Sequence, residues 1–218
     1  MKIFAEYFES ENRRGITLLQ FGDGVNLIGS AVLKNPGSAK PLRPINENEL
    51  NKVSTFFRNT HNKNIPSVGY WHNFKKDSTM NQLERIFNGS LLDKEKQVSL
   101  NGIIQLFNCF YYITENSEEA EKIFPEYYKN KKEFIFNESE YFLDKPVYFG
   151  WGDTGLNGVY KIVAKNIFDD YMKNGKHKDL YDSRFEENCF CHPYSLNYIK
   201  NISRLNNFLE DYNAKLQS

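Results

Sequence analysis

Apolar positions alternate between two rhythms along the chain. "GITLLQFG" (15–22) and "VNLIGSAVLKNPGS" (25–38) read as strands, and "GDG" at 22–24 between them is a turn signal that predicts a hairpin. "NENELNKVSTFFRNTHNK" (46–63) places Leu50, Val53, Phe56 and Phe57 at helical spacing. "STMNQLERIFNGS" (78–90) predicts a second helix, with Ser78 as cap and Gly89 as stop. "NGIIQLFNCFYYI" (101–113) is a dense apolar run of the kind found in a strand buried on both faces, interrupted by one conspicuous amide, Asn108.

Further along, "SEEAEKIFPEYYKNKKEF" (117–134) reads as a helix that Pro125 breaks or bends. "KPVYFGWG" (145–152) is a short strand ending in glycines, and "NGVYKIVAKNIFDDYMKNG" (157–175) is an amphipathic helix stopped by Gly175. "NCFCHP" (188–193) reads as a last strand edge with its loop. "SLNYIKNISRLNNFLEDYNAKL" (195–216) reads as a closing helix with Ile199, Ile202, Leu205 and Leu209 on one face. Strands alternating with helices predict one α/β domain over residues 1–218, with a mainly parallel sheet covered on both faces. In such a fold ligands collect beyond the carboxyl ends of the strands, so "KNPGS", Asn108 and "CHPYSLN" should meet at one crevice.

Charge narrows the function. Lysine plus arginine and aspartate plus glutamate balance at 28 each, which removes the global positive field that draws a protein to nucleic acid or anionic lipid. Contact with nucleic acid would have to come from local runs at 127–134, 172–178 and 200–204, each of which, taken alone, reads more readily as solvated lysines on helix ends and loops. "MKIFAEYFES" lacks the apolar centre of a signal peptide and no stretch has the length of a membrane span, which predicts a cytoplasmic protein without a membrane partner. Three cysteines agree with a reducing compartment. Cys189, Cys191 and His192 supply fewer than the roughly four ligands of a zinc or iron–sulfur site, so no metal or cofactor is expected. No dinucleotide fingerprint, phosphate loop, nucleophile elbow or H-E-x-x-H motif is present.

Three segments, "LKNPG" (33–37), "IIQLFN" (103–108) and "HPYSLN" (192–197), taken in that order, resemble the uracil-DNA glycosylase superfamily. They match its N-P-G first motif, its asparagine-ended middle strand and its H-P-x-x-L last motif. "NPGSA", "FGWGDTG" and "HPYSL" are also similar to an uncharacterised bacterial family of the same fold. The resemblance implies a three-layer α/β/α sandwich and a monomer that acts on DNA, single- or double-stranded, or on a nucleotide. It implies Asn35 as the residue that orients water and His192 as the stabiliser of charge on the leaving base, with Asn108 reading a pyrimidine edge and Leu196 as the wedge that fills the stack after base flipping. Lys34, Pro36, Gly37, Ser38, Phe107, Tyr194 and Ser195 come with these motifs as substrate-binding positions. Gly37 stands where strict uracil enzymes carry a bulky tyrosine, which leaves room for a 5-substituted base. Tyr194 stands where the family has a small serine.

Two functions follow as expectations. One is a DNA-repair-type glycosylase that cleaves the N-glycosidic bond of a flipped uracil-like or modified pyrimidine. The other is a module of the same fold that binds a nucleotide, modified base or protein without turnover. Asn35 before Pro36 is also an ordinary turn pair, His192 before Pro193 an ordinary loop residue, and Leu196 an ordinary start to a helix's apolar face. Asn108 is harder to dismiss, because a buried amide needs partners.

Overall fold

The computed structural model describes residues 1–91, 95, 97–142, 145–152, 156, 158–188, 190–197, 210–211 and 214. Cys189, Asp153 and most of the expected closing helix, including Ile199, Ile202, Leu205 and Leu209, lie outside the described residues. The described residues form an α/β structure around a sheet of seven strands. The strands are β1 (Lys2–Phe8), β2 (Arg13–Phe21), β3 (Leu27–Leu33), β4 (Pro41–Pro44), β5 (Trp71–Phe74), β6 (Gly102–Asn108) and β7 (Val147–Phe149). Four helices accompany them: α1 (Glu47–His61), α2 (Ser78–Phe87), α3 (Ser117–Asn130) and α4 (Gly158–Asn174).

The sheet runs β4-β5-β1-β2-β6-β3-β7. Only β3 with β6 and β3 with β7 pair in parallel, while β1 with β2, β1 with β5, β2 with β6 and β4 with β5 are antiparallel. The sheet is therefore mixed, and the expectation of a mainly parallel one is corrected. A dense apolar run such as that of β6 reports burial on both faces, and it carries no information on neighbour direction. The hairpin expected of 15–22 and 25–38 is corrected too, since β6 lies between β2 and β3. Its entry is tight: a side chain at Gly24 would come within 2.8 Å of the Asn101 carbonyl carbon. The 190–192 segment is not a strand; the Phe190 carbonyl accepts from the Gly152 N–H at 2.7 Å.

Helix ends follow local chemistry. Asn46 and Glu49 form a reciprocal capping box on α1. On α2 the cap is Asp77 rather than Ser78, its Oδ1 accepting the Met80 N–H at 2.8 Å. α3 continues through Pro125 to Asn130.

Side-chain alternation assigns the faces. Thr17 opposite Leu106, Ala31 opposite Leu106, and Leu33 opposite Asn108 share one face. Phe87 of α2 packs there, close over Gly29. The opposite face carries Val32 and its neighbour Phe149, against which Phe168 and Tyr171 of α4 pack.

One irregularity matters for the site. Ala5 pairs with Thr17 but Tyr7 pairs with Arg14, so between these pairs one residue of β1, Glu6, faces two of β2, Gly15 and Ile16. This bulge turns Arg14 onto the face of Thr17 and Asn108, where strict alternation would have turned it away. Ile16, whose N–H leaves the ladder, donates to Glu6 Oε2 at 3.0 Å. Gly15 is required beside it, because a Cβ there would lie 2.4 Å from that same oxygen.

Near the bulge, the carboxyls of buried Glu6 and half-buried Glu138 are close enough to affect one another. Burial pushes Glu138 up to about 7, with the Glu6 charge adding to the rise, and burial also raises Glu6. Glu138 Oε2 accepts from the Tyr111 hydroxyl at 2.7 Å and the Asn137 N–H at 2.8 Å. A carboxyl raised in the folded state stabilises the fold fully below its unfolded value of 4.5 and loses that contribution as pH rises through about 7. Glu138→Gln keeps a carbonyl acceptor for both donors and cannot ionise. Urea midpoints should show the variant gaining on wild type between pH 5 and pH 8; an unchanged difference would contradict the assignment.

Candidate functional site

The carboxyl ends of β3, β6 and β7 open onto a cavity of about 460 Å³, within the range of small-molecule sites. Asn35 reaches it from the loop after β3, Asn108 from the last position of β6, and His192 from the segment preceding a 3₁₀ turn at Pro193–Asn197. These three sequence-selected groups, far apart in the chain, share one cavity. Lys34, Gly37, Tyr194 and Ser195 line it as well.

Others of the expected residues do not. Phe107 lies on the opposite face of β6, stacked with Tyr141 and edge-on to Phe136 and Phe142. Leu196 is buried in the core at 8 % exposure, so it does not project as a wedge; Tyr194, at 44 %, is the exposed side chain of that turn. Pro36 is buried and Ser38 exposed, and neither borders the cavity. Lys34 borders it, but its ammonium is taken by Glu121 of α3 and lies over the Tyr160 ring, which accounts for its charge without a phosphate.

Each cavity group is held by its surroundings. Asn35 Nδ2 donates to the Pro36 carbonyl at 3.1 Å and the Thr114 carbonyl at 3.3 Å, which fixes the amide plane and leaves Oδ1 as its acceptor. His192 Nδ1 accepts the Tyr194 N–H at 3.3 Å, so the neutral ring carries its hydrogen on Nε2. Burial lowers the His192 pKa; the Asp77 charge opposes this and the Lys34 charge adds to it. The ring is thus a neutral Nε2–H donor near pH 7. The Tyr148 hydroxyl donates to the Cys191 carbonyl at 2.6 Å, anchoring the segment beside the histidine.

Asn108 is 1 % exposed and its Nδ2 has no acceptor among the described residues. Cys109 and Cys191 are buried free thiols. No group of three or more His, Cys, Asp or Glu among the described residues is placed to hold a metal.

Three charged residues of the cavity, Arg14, Asp77 and Glu115, are not among those selected from the sequence, and Glu115 is paired with Lys40 at 3.1 Å. Arg14, brought to this wall by the bulge, is 2 % exposed. Asp77, the α2 cap, borders the cavity, and its Oδ2 lies 3.8 Å from where a Gly37 Cβ would stand, beside the Asn35 loop. That is also the nearest atom Gly37 would meet, so the space expected there is present. The signal for Asp77 was available in "KKDSTM", where Asp stands as good a cap as Ser. For Arg14 it was not, since "NRRGIT" reads as a charged turn.

No protein family, curated protein or solved structure matches the chain. Among the described residues no helix is long and apolar enough to cross a membrane.

Proposed function

We propose that this chain is a glycosylase-like hydrolase of three-layer, uracil-DNA glycosylase-like architecture, cleaving the N-glycosidic bond of a flipped uracil-like or modified pyrimidine in DNA. The observation that carries the reading is the convergence of Asn35, Asn108 and His192 on one cavity at the strand ends. Bond cleavage leaves positive charge on the sugar and negative charge on the base. In this reading the neutral His192 Nε2–H donates to the base oxygen as that charge develops, which costs no proton transfer. Asn108, offering both a donor and an acceptor, reads the pyrimidine edge. Asn35 Oδ1 accepts a hydrogen from the attacking water and positions it. An amide is a poor base, and the carboxylate the N-P-G loop lacks is supplied by Asp77 from the start of α2.

A second reading, a base- or nucleotide-binding module without turnover, is favoured by the two backbone bonds that give Asn35 Nδ2 a structural task. A panel of single- and double-stranded DNA carrying uracil, mismatched thymine or 5-substituted pyrimidines, scored for abasic sites, separates the two. Expected is base release from at least one substrate, reduced about 10²-fold or more by Asn35→Ala and by His192→Ala. Saturable binding of a base with no abasic sites across the panel overturns the hydrolase and leaves the binding module.

A further inference from the structure

Arg14 reaches the cavity wall through the bulge, and the bulge is held from behind. Ala5 and Tyr7 share the face of Arg14, so Glu6 between them points to the opposite face, where its strand neighbour Trp71 meets Phe57 of α1. Glu6 Oε2 accepts the Ile16 N–H at 3.0 Å, and the carboxyl takes a second hydrogen bond from the Ser67 hydroxyl. On the other flank the Arg14 N–H donates to the Tyr111 carbonyl at 3.0 Å, and the Tyr111 hydroxyl donates to Glu138 Oε2 at 2.7 Å. The Ile16 and Arg14 amides of the bulge are thus each tied to a carboxyl, the first directly and the second through Tyr111.

Positive charge around this pair is sparse. Arg13 of β2 is the weakest influence on Glu6 and is itself paired with Glu11 at 2.6 Å. Lys63 lies over the Tyr141 ring at 4.7 Å and is taken by Glu140 at 2.6 Å. His61 of α1 stands edge-on to Tyr141, and burial lowers its pKa to about 4, so it is neutral above pH 5. The remaining neighbours, Tyr111, Tyr141 and Cys109, are neutral acids: burial raises all three, and both carboxylates act on the two tyrosines. Two carboxyls so placed hold a proton in common more readily than both ionise.

We propose that Glu6 and Glu138 form a proton-operated latch behind the cavity. While the pair keeps a proton, both carboxyls stay seated and Arg14 is held on the wall. When the proton leaves, Glu138 withdraws from Tyr111, the bulge loosens and ligand binding weakens. Glu138 is the moving part, because it is half-buried and precedes a 3₁₀ turn at Ser139–Tyr141, whereas Glu6 lies within β1 at 6 % exposure. The latch serves any ligand of the cavity and does not depend on the hydrolase reading. Since burial raises Glu138 to about 7, the hold is complete below the free carboxyl's 4.5 and is lost as pH rises through about 7.

Backbone amide exchange of the wild-type chain, followed by NMR from about pH 5 to about pH 7.5 and expressed as protection relative to the unfolded chain, tests this. Expected is about a tenfold or greater loss of protection at Arg14 and Ile16 across that interval, while Ile104 and Leu106 of β6 change by less than about twofold. Glu138→Gln should stay at the low-pH level throughout, and Tyr111→Phe, which cuts the tie, should level the response of Arg14 as well. Flat protection in wild type overturns the latch, a result that needs no variant. A parallel loss in β6 reports general loosening and overturns it too, as does a pH dependence that survives Glu138→Gln. With uracil as probe, calorimetric affinity should fall about tenfold more in wild type than in Glu138→Gln over the same interval; an equal fall in both overturns the link to the cavity. Uracil that binds at no pH sinks the pyrimidine reading alone, and the latch then stands or falls on the exchange.

Discussion

Asp77→Asn should slow base release about 10²–10⁴-fold, the usual contribution of a positioned acid–base group, while keeping the cap of α2. The two expectations separate because Asp77 has two oxygens with different tasks. Oδ1 accepts the Met80 N–H and caps α2, and an asparagine carbonyl caps equally well. Oδ2 faces Gly37 and the Asn35 loop, and there the substitution replaces a charged acceptor with a neutral group. Asp77→Ala should show the same kinetic loss and, in addition, about 1 kcal/mol of destabilisation from the missing cap. Single-turnover rates on the best substrate of the panel, set beside urea midpoints for the same variants, measure both. A rate for Asp77→Asn within about threefold of wild type would return the handling of water to Asn35 alone.

The hydrophobic pattern carried much of this architecture, and its failures have physical causes. Helices α1, α2, α3 and α4 were legible because each buries one stripe at a spacing of about 3.6 residues. β6 was legible as a strand buried on both faces, and all seven of its residues are buried. Its neighbours were not, since Leu106 needs the same apolar surroundings whether Thr17 arrives antiparallel or Ala31 arrives parallel. β4 and β5 are four residues each, too short and too mixed in "PLRP" and "WHNF" to show alternation.

In the site, Asn35, Asn108 and His192 could be read because an isolated amide in an apolar strand and polar loops after strands stand out against the pattern. Leu196 and Phe107 show the limit of motif-based reasoning: a position in a motif does not say which way its side chain points. Arg14 shows the converse. Its orientation depends on an extra residue in β2 that only the pairing of Tyr7 with Arg14 discloses, and that pairing is stabilised by Glu6, nine positions before Gly15. Local sequence reports the charge, and long-range register decides where the charge goes.

Phe149→Ala should cost about 3–5 kcal/mol, a large part of the 5–15 kcal/mol that holds a typical domain together. Phe149 is 1 % exposed at the end of β7, where its ring meets Phe168 and Tyr171 of α4 at 5.9 and 5.3 Å between centroids and Trp151 at 4.7 Å. Its N–H donates to the Tyr181 hydroxyl at 3.1 Å, and that hydroxyl donates in turn to the Val147 carbonyl at 2.7 Å, so the strand end is held by backbone as well as ring. The truncation removes a whole aromatic volume from a place where the neighbours are themselves rigid rings, which collapse poorly into a void. Its effect should also reach the cavity. Trp151 lines the cavity and rests on Phe149, and Phe190, two residues before His192, packs on Trp151 at 5.0 Å. Phe149→Leu, which keeps most of the volume, should cost appreciably less in urea unfolding and retain ligand affinity closer to wild type. A loss under about 1.5 kcal/mol for the alanine variant, the range of a volume-conserving swap, would mean that the ring cluster repacks and that the His192 segment does not depend on it.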